Sequence, residues 1–397
     1  MEHEKIIMSF PNSFFSAPRV YMRKLARKLF GVITIKPKNG ARNGWALLSY
    51  VTHPLAITKK ELVKSPHTNP WECLEIADIL LERGYGVDVI DWTNATFTPK
   101  KNYAMVIDVN QNLERLTPLL PKNCVKIFYI TGAHWSYQNN AELVRLEALK
   151  KRRGIEIKPC RQMAPSNNIE YADYATSLGN NFTKDTYAYA RKPITQIPLL
   201  STVTFPSPEK KNFNKVAKNF VWIGGGGAVH KGLDLVLECF KDMPDYNLTI
   251  CGPVAAEKDF EKAYCKELYN TPNIKTVGRI NIRAQQFLNI INTSVGLIYP
   301  SCSEGQSGAV ITAMHAGLIP IISYESGVDV HDFGVILRKS SIDEIKKAIR
   351  EIANLPKEEL ALRSKQTWQY ARENHTREKF RNASAAFIEM IINNQKL

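Results

Sequence analysis

Residues Tyr299–Ser323 read YPSCSEGQSGAVITAMHAGLIPIIS. The apolar run Val295–Tyr299 that leads in has the length and continuity of a parallel strand covered on both faces. Pro300 stops the strand. Ser301, Cys302, Ser303, Glu304 and Gly305 then form a polar loop at its carboxyl end, where open α/β sheets hold ligands. Gly308–Ala316 carries Val310, Ile311, Met314 and Ala316 at helical spacing, Gly317 closes the helix, and Leu318–Ser323 is the next strand. This grammar of strand, loop, helix and strand predicts an α/β protein. The N–H groups of Gln306, Ser307 and Gly308 open the helix and are expected to be unpaired donors at its positive end. Small residues around them let a ligand approach the backbone. Glu304 reads either as a ligand-binding carboxylate or as a helix cap.

The same grammar recurs upstream. Phe220–Ile223 is a strand, Gly224–Gly227 a glycine run, and Leu233–Phe240 a helix, with Lys231-Gly232 just before it. Four glycines between strand and helix let backbone N–H groups close around a phosphate, with Lys231 in reach of the same charge. The spacing is not that of a Walker loop. His230 is either a phosphate donor or a surface residue. Strands at Leu248–Cys251 and Ile274–Val277 run into Gly252-Pro253 and Gly278-Arg279-Ile280. In the first half, Trp45–Val51 is a strand followed by a long polar loop, which holds His53 and His67 as incidental residues. Asn69-Pro70-Trp71-Glu72 reads as a helix start, with Asn as cap and Glu three residues on. Tyr103–Val109 ends near Asp108, Asn110 and Gln111, and Val125–Thr131 ends in Gly132-Ala133-His134-Trp135. A His just past a strand's carboxyl end faces the cleft of such a sheet; its alternative is a structural role in the loop.

Pro300, Ser301, Glu304, Gly305 and Gly308, with Lys231-Gly232, resemble the signature of the retaining family-4 glycosyltransferases. That family has the GT-B fold, in which two Rossmann-like domains face each other across a cleft. The resemblance implies transfer of a sugar from a nucleotide-diphosphate sugar to a glycan or lipid-linked acceptor, with retained anomeric configuration. It implies Glu304, His134 and Lys231 as catalytic residues. Gly225, Gly226, Gly227, Arg279, Ile280, Gly305, Gln306, Ser307, Gly308 and Thr312 would line the donor, and Asn110 and Trp135 the acceptor side. Leaving-group charge would be met by Lys231, the glycine loop and helix N-termini, with no metal and no cofactor, in keeping with the lack of an Asp-x-Asp motif. Two positions depart from the pattern. Thr312 stands where the family has a second Glu, a loss of about 1.5–3 kcal/mol in donor binding, for which Glu325 on a neighbouring loop is a candidate substitute. Gly226 stands where the family has an Arg, with Arg279 as a candidate replacement. A GT-B nucleotide-sugar epimerase and a catalytically degenerate partner subunit are the alternatives.

Composition bounds the rest. A chain of 397 residues with 44% hydrophobic and 23% charged residues is an ordinary globular protein of about two domains. Seven scattered cysteines without a Cys-x-x-Cys pair indicate neither a disulfide framework nor a zinc site, which fits a reducing cytoplasm. Nothing reads as a signal peptide or a spanning helix. The net charge of +15 is concentrated early: up to Asn43, Lys5, Arg19, Arg23, Lys24, Arg27, Lys28, Lys36, Lys38 and Arg42 face only Glu2 and Glu4. Arg19–Ile33 reads as a basic amphipathic helix, with Val20, Tyr21, Leu25, Leu29 and Phe30 as its apolar stripe. It fits an anionic membrane surface or packing on the domain, with Phe10, Phe14 and Phe15 adding to the lipid reading. No nucleic-acid module is present. The expected layout is a basic extension over 1–44, an acceptor domain over 45–200, and a linker over 201–217. A nucleotide-sugar domain over 218–375 and a last helix over 376–397 crossing back to the first domain complete it. Bacterial surface polysaccharide synthesis (lipopolysaccharide or capsule), peripheral on the inner face of the cytoplasmic membrane, is the expected setting.

Overall fold

The computed structural model describes residues 15–37, 39–65 and 67–395; Glu2, Glu4, Lys5, Phe10, Phe14 and Lys38 lie outside them. Two sheets account for the strands. The first runs β1 (Val32–Ile35), β2 (Trp45–Tyr50), β3 (Gly86–Asp91), β4 (Tyr103–Asp108), β5 (Val125–Ile130), β6 (Tyr174–Leu178) and β7 (Ile194–Ile197), in spatial order β1-β3-β2-β4-β5-β6-β7. The second holds β8 (Asn219–Ile223), β9 (Asn247–Cys251), β10 (Ile274–Gly278), β11 (Gly296–Tyr299), β12 (Ile319–Ser323) and β13 (Val335–Leu337), in order β10-β9-β8-β11-β12-β13. Apart from β1, which is antiparallel to β3, the pairs are parallel. Helices on both faces bury β11 and β12 throughout, so those strands read as unbroken apolar runs.

Strand order locates the crevices. In the second sheet the chain steps outward from β8 through β9 to β10, returns to β11 beside β8, and steps out the other way. The loops after β8 and β11 therefore diverge over the topological switch point. In the first sheet the corresponding gap lies between β2 and β4.

The helices used below are α1 (Ala17–Phe30), α2 (Asn69–Glu82), α3 (Trp135–Arg153), α4 (Leu233–Lys241), α5 (Gly308–His315), α6 (Lys357–Asn374) and α7 (Arg377–Asn394). Helix α7 docks on the first domain, where Phe387, Ile388 and Ile391 are buried. Arg381 reaches Glu75 at 2.7 Å, Asp78 at 3.0 Å and Glu82 at 2.6 Å on α2, and Arg377 also pairs with Glu75.

Several expectations need correction. The segment up to residue 44 is not all extension: α1 ends at Phe30, Gly31 takes φ +64°, and Val32–Ile35 joins the first sheet. A four-residue edge strand is too short to show periodicity. The apolar stripe of α1 divides as well. Val20 is buried, whereas Tyr21, Leu25, Leu29 and Phe30 are exposed. Arg23 turns inward, and burial with Arg19 beside it lowers its pKa to about 10. Residues 201–217 join the two sheets and are themselves packed, burying Val203, Phe205, Pro208, Phe213 and Val216. Asn69 does not cap α2, since the cap position is Thr68. Glu72 turns into the core, where its carboxylate accepts from Tyr50 Oη at 2.8 Å and Tyr129 Oη at 2.9 Å. Among the described residues no helix is long and apolar enough to cross a membrane.

Candidate functional site

The site is built on the loops after β8 and β11, which are fastened to each other. Cys302 N–H donates to His230 O at 2.9 Å, and His230 Nε2–H donates to Ser303 O at 2.6 Å. Gly232, with φ +70°, lies so close to Pro300 that a Cβ would stand 2.4 Å from its carbonyl oxygen, so the Lys-Gly pair requires its glycine. His230 is therefore neither a surface residue nor a phosphate donor. It is buried, burial lowers its pKa with Glu304 opposing, and its ring fixes the loop that carries Glu304.

This clamp presents a compact charge system. Lys231 Nζ donates to Tyr299 Oη at 2.9 Å and forms an ion pair with Glu304, while Tyr299 Oη donates to Glu304 Oε1 at 2.8 Å. The side chains of Lys231 and Glu304 are only 10% and 15% exposed. Burial pushes the Glu304 carboxyl up, but the charges of Lys231 and His230 and the hydrogen bonds from Lys231 and Tyr299 outweigh it and leave a pKa of about 2. Burial pulls Lys231 down, and Glu304 and Tyr299 more than restore it, above the ordinary lysine value. Both groups are charged at neutral pH. Tyr299 was legible only as the last apolar residue of its strand; periodicity carries no sign that its hydroxyl bridges an ion pair.

The backbone donors are fewer than expected. Gly227 N–H donates to Glu257 Oε1 at 2.7 Å, and Ala228 N–H to both Glu257 oxygens at 3.0 and 3.1 Å. A carboxylate of this chain thus occupies part of the glycine loop, while Gly225 and Gly226 stay exposed. Ser307 N–H is taken by Ser326 O at 3.0 Å, so it does not open α5 as an unpaired donor. Gln306 Oε1 accepts from Leu199 N–H at 2.6 Å. Thr312 Oγ1 donates to Gly308 O at 2.7 Å within its own helix, so its hydroxyl proton is spent on α5 rather than offered to a ligand. Arg279 and Ile280 follow β10, the edge strand two places from β8, and Arg279 is exposed. Glu325 lines a 610 Å³ groove between the domains, with Tyr137 and Arg145 and with Cys302 of the β11 loop.

The first domain supplies the facing wall. His134 caps α3, with Nδ1 accepting from Ser136 N–H at 3.3 Å and lying 2.7 Å from Ser136 Oγ. In the neutral ring these contacts assign the proton to Nε2, which is 3.4 Å from Tyr189 Oη. Tyr187 and Tyr189 pack edge-on at 5.2 and 5.3 Å, and burial lowers the His134 pKa. Trp135 lies 5.4 Å from the His134 ring, and its indole N–H is buried without a partner among the described residues. Asn110 is engaged through its carbonyl by Ser166 Oγ at 2.7 Å. His53 and His67 are exposed.

The walls meet. A Cβ on Gly305 would stand 2.2 Å from Thr131 O, Thr183 Oγ1 donates to Gly305 O at 3.0 Å, and Asn180 Nδ2 donates to Asp329 Oδ1 at 2.9 Å. The loop carrying Glu304 thus touches the turn that precedes His134, and the cleft is closed. Among the described residues no cluster of three or more His, Cys, Asp or Glu side chains is placed to hold a metal ion.

Residues 207–369 match the family described as glycosyl transferases group 1. The second domain is a group 1 glycosyl transferase domain. No curated protein matches the chain in sequence. Among solved structures, the sucrose-phosphate synthase of Thermosynechococcus elongatus is similar at TM-score 0.60 and 14% identity, over 88% of this chain and 99% of that one. Anabaena HepE, solved with UDP and glucose, is similar at TM-score 0.53 and 10% identity, over 87% and 99%. TarM of S. aureus, solved as a mutant with Fondaparinux, alpha-GlcNAc-glycerol and UDP, is similar at TM-score 0.50 and 14% identity, over 70% of this chain. The chain spans 55% of the length of that TarM chain. At these identities the likeness establishes the fold, which is GT-B.

Proposed function

We propose that the protein is a glycosyltransferase that moves a sugar from a nucleoside-diphosphate sugar to a glycan or lipid-linked acceptor, with retention of anomeric configuration. The observation that carries this reading is the buried Lys231–Tyr299–Glu304 system at the switch point of a group 1 domain, against the loop of His134. Lys231 stabilises the charge that develops on the departing diphosphate, a large term where water is excluded. Glu304, held ionised, accepts hydrogen bonds from sugar hydroxyls, and His134 presents Nε2–H to the sugar near its reacting carbon. The bond from the anomeric carbon to the diphosphate oxygen breaks, the acceptor oxygen bonds to the same face, and the acceptor proton leaves with the diphosphate. In this reading protein cations and dipoles do the work without a metal.

The setting proposed is the synthesis of a bacterial surface polysaccharide, lipopolysaccharide or capsule, on the inner face of the membrane. Its support is α1, which exposes Tyr21, Met22, Leu25, Leu29 and Phe30 beside exposed Lys24, Arg27 and Lys28. One second reading has a specific observation behind it. Thr312 spends its hydroxyl on its own helix and Glu257 fills part of the glycine loop, as in a partner subunit that binds donor without turning it over. Calorimetric titration with UDP-, GDP- and ADP-sugars, followed by incubation with the best ligand, separates the two. Binding with slow release of the nucleoside diphosphate is the expected result. Binding without release selects the partner subunit, and failure of every nucleotide sugar to bind refutes both.

A further inference from the structure

Helix α3 holds a segment of the first domain against the second. Glu142, only 1% exposed, accepts from Cys160 N–H at 3.0 Å, from Arg161 N–H at 2.9 and 3.1 Å, and from Gln162 Nε2 at 2.7 Å. Gln138 Nε2 donates to Arg161 O at 2.6 Å, and Asn139 exchanges two hydrogen bonds with the backbone of Met163, at 2.7 and 2.8 Å. Burying a carboxylate is costly unless its lone pairs are filled, and here they are filled by one stretch of backbone. The stretch is fixed at Arg161, whose side chain crosses the cleft and lies on Gly227.

The contact with Gly227 is specific. A Cβ there would stand 2.7 Å from Arg161 Cγ and 3.0 Å from Cδ, and Gly227 has φ +92°. The glycine run thus leaves room for an arginine stem from the opposite domain. Arg161 is exposed, and among the described residues its guanidinium has neither a hydrogen-bond nor an ion-pair partner. This holds although Glu257 lies within 3.9 Å of the neighbouring Cys160 thiol. Its charge is nonetheless felt by His230, next to Lys231. Lys231 is already matched by Glu304, and Glu257 adds a second carboxylate beside the loop. A diphosphate entering here needs a further cation, and guanidinium suits it, since its planar fork meets two phosphate oxygens at once.

We propose that Arg161 is a diphosphate-binding residue of the donor site, supplied by the first domain across the cleft. The proposal rests on the nucleotide-sugar reading above. Donor binding then couples to domain closure, because the site is complete only when α3 presses residues 160–163 onto the glycine loop.

The test titrates the full chain with UDP, GDP and ADP and, for the tightest of these, with its parent nucleoside. Arg161 is exposed, so Arg161→Ala should fold, as its thermal melt will show. The expected result is weaker diphosphate binding by about ten- to a hundredfold, unchanged nucleoside binding, and partial recovery in Arg161→Lys. Unchanged diphosphate binding in Arg161→Ala, with a loss in Lys231→Met, overturns the assignment and leaves the donor-site reading standing. Equal losses for diphosphate and nucleoside mean that Arg161 only props the cleft, which also overturns it. No binding of any diphosphate by the wild-type chain overturns the donor-site reading and this assignment together.

Discussion

Replacing Lys231 with Met removes the cation and keeps most of the stem volume. Glu304, 15% exposed, is left with neutral donors, Tyr299 Oη at 2.8 Å and Ser301 Oγ at 3.3 Å. Breaking a buried pair from one side costs about 3–5 kcal/mol, because the surviving charge stays desolvated, whereas removing both partners costs far less. Lys231→Met and Glu304→Gln should therefore each destabilise the second domain, and the double variant should recover most of the loss. The pH dependence gives a second handle. In the wild type Glu304 is lowered to about 2, so its contribution is full above the ordinary carboxylate pKa and is lost only as pH falls toward 2. Without Lys231 burial is the leading influence and raises the carboxyl above its ordinary value, so the folded variant takes up a proton first and its deficit shrinks between pH 7 and 5. Urea denaturation followed by tryptophan fluorescence reads both effects, with Trp222 buried in the affected domain. Single-variant losses that add to within about 0.5 kcal/mol, or a Lys231→Met deficit independent of pH, would refute the reasoning.

Three further outcomes are expected. His315 and His375 are buried, with Nε2 of the first 3.0 Å from His375 O and Nδ1 of the second 3.1 Å from Leu199 O, and burial lowers both to about 4. Neutral when folded, they stabilise fully above about pH 6.5 and lose that contribution as pH falls toward 4; His375→Asn should flatten the acid limb of a stability–pH curve. Arg381→Ala leaves Glu75 and Asp78, 1% and 5% exposed, short of one cation, at a cost of about 2–4 kcal/mol. Faster proteolysis or hydrogen exchange within α7 would register it, and unchanged protection would count against the docking role. Changing Leu25, Leu29 and Phe30 together to Ser should leave the melting temperature unchanged, since all three are exposed, yet lower co-sedimentation with anionic vesicles; equal sedimentation removes the membrane role of α1.

The second domain was largely legible because its strands are buried on both faces and its loops carry Gly, Pro and Ser at the ends. That brought out Glu304, Lys231 and Gly232, which the fold places together. What stayed hidden depends on contacts distant in sequence. Glu257 reaches Gly227 across thirty residues, and no local pattern marks a loop carboxylate as a cap for someone else's backbone. Glu72 fits a helix-start pattern but answers to the hydroxyls of Tyr50 and Tyr129 on two strands. Arg161 sits in a polar stretch without periodicity, and only the grip of Glu142 makes it distinctive. Thr312 looked like a weakened ligand contact; a threonine inside a helix has its own i−4 carbonyl within reach, and here it uses it.

The central claim is that Glu304 and Lys231 serve donor-sugar cleavage. The most direct measurement is the rate of nucleoside diphosphate release from the best-binding nucleotide sugar, in metal-free buffer with and without a glycan acceptor mixture, for the wild-type chain and Glu304→Gln. The account predicts slow release that the acceptor accelerates and that falls by at least about a hundredfold in Glu304→Gln, a loss of roughly 2.7 kcal/mol of transition-state stabilisation. Release at equal rates in both proteins, while each remains folded and binds the donor, would contradict it.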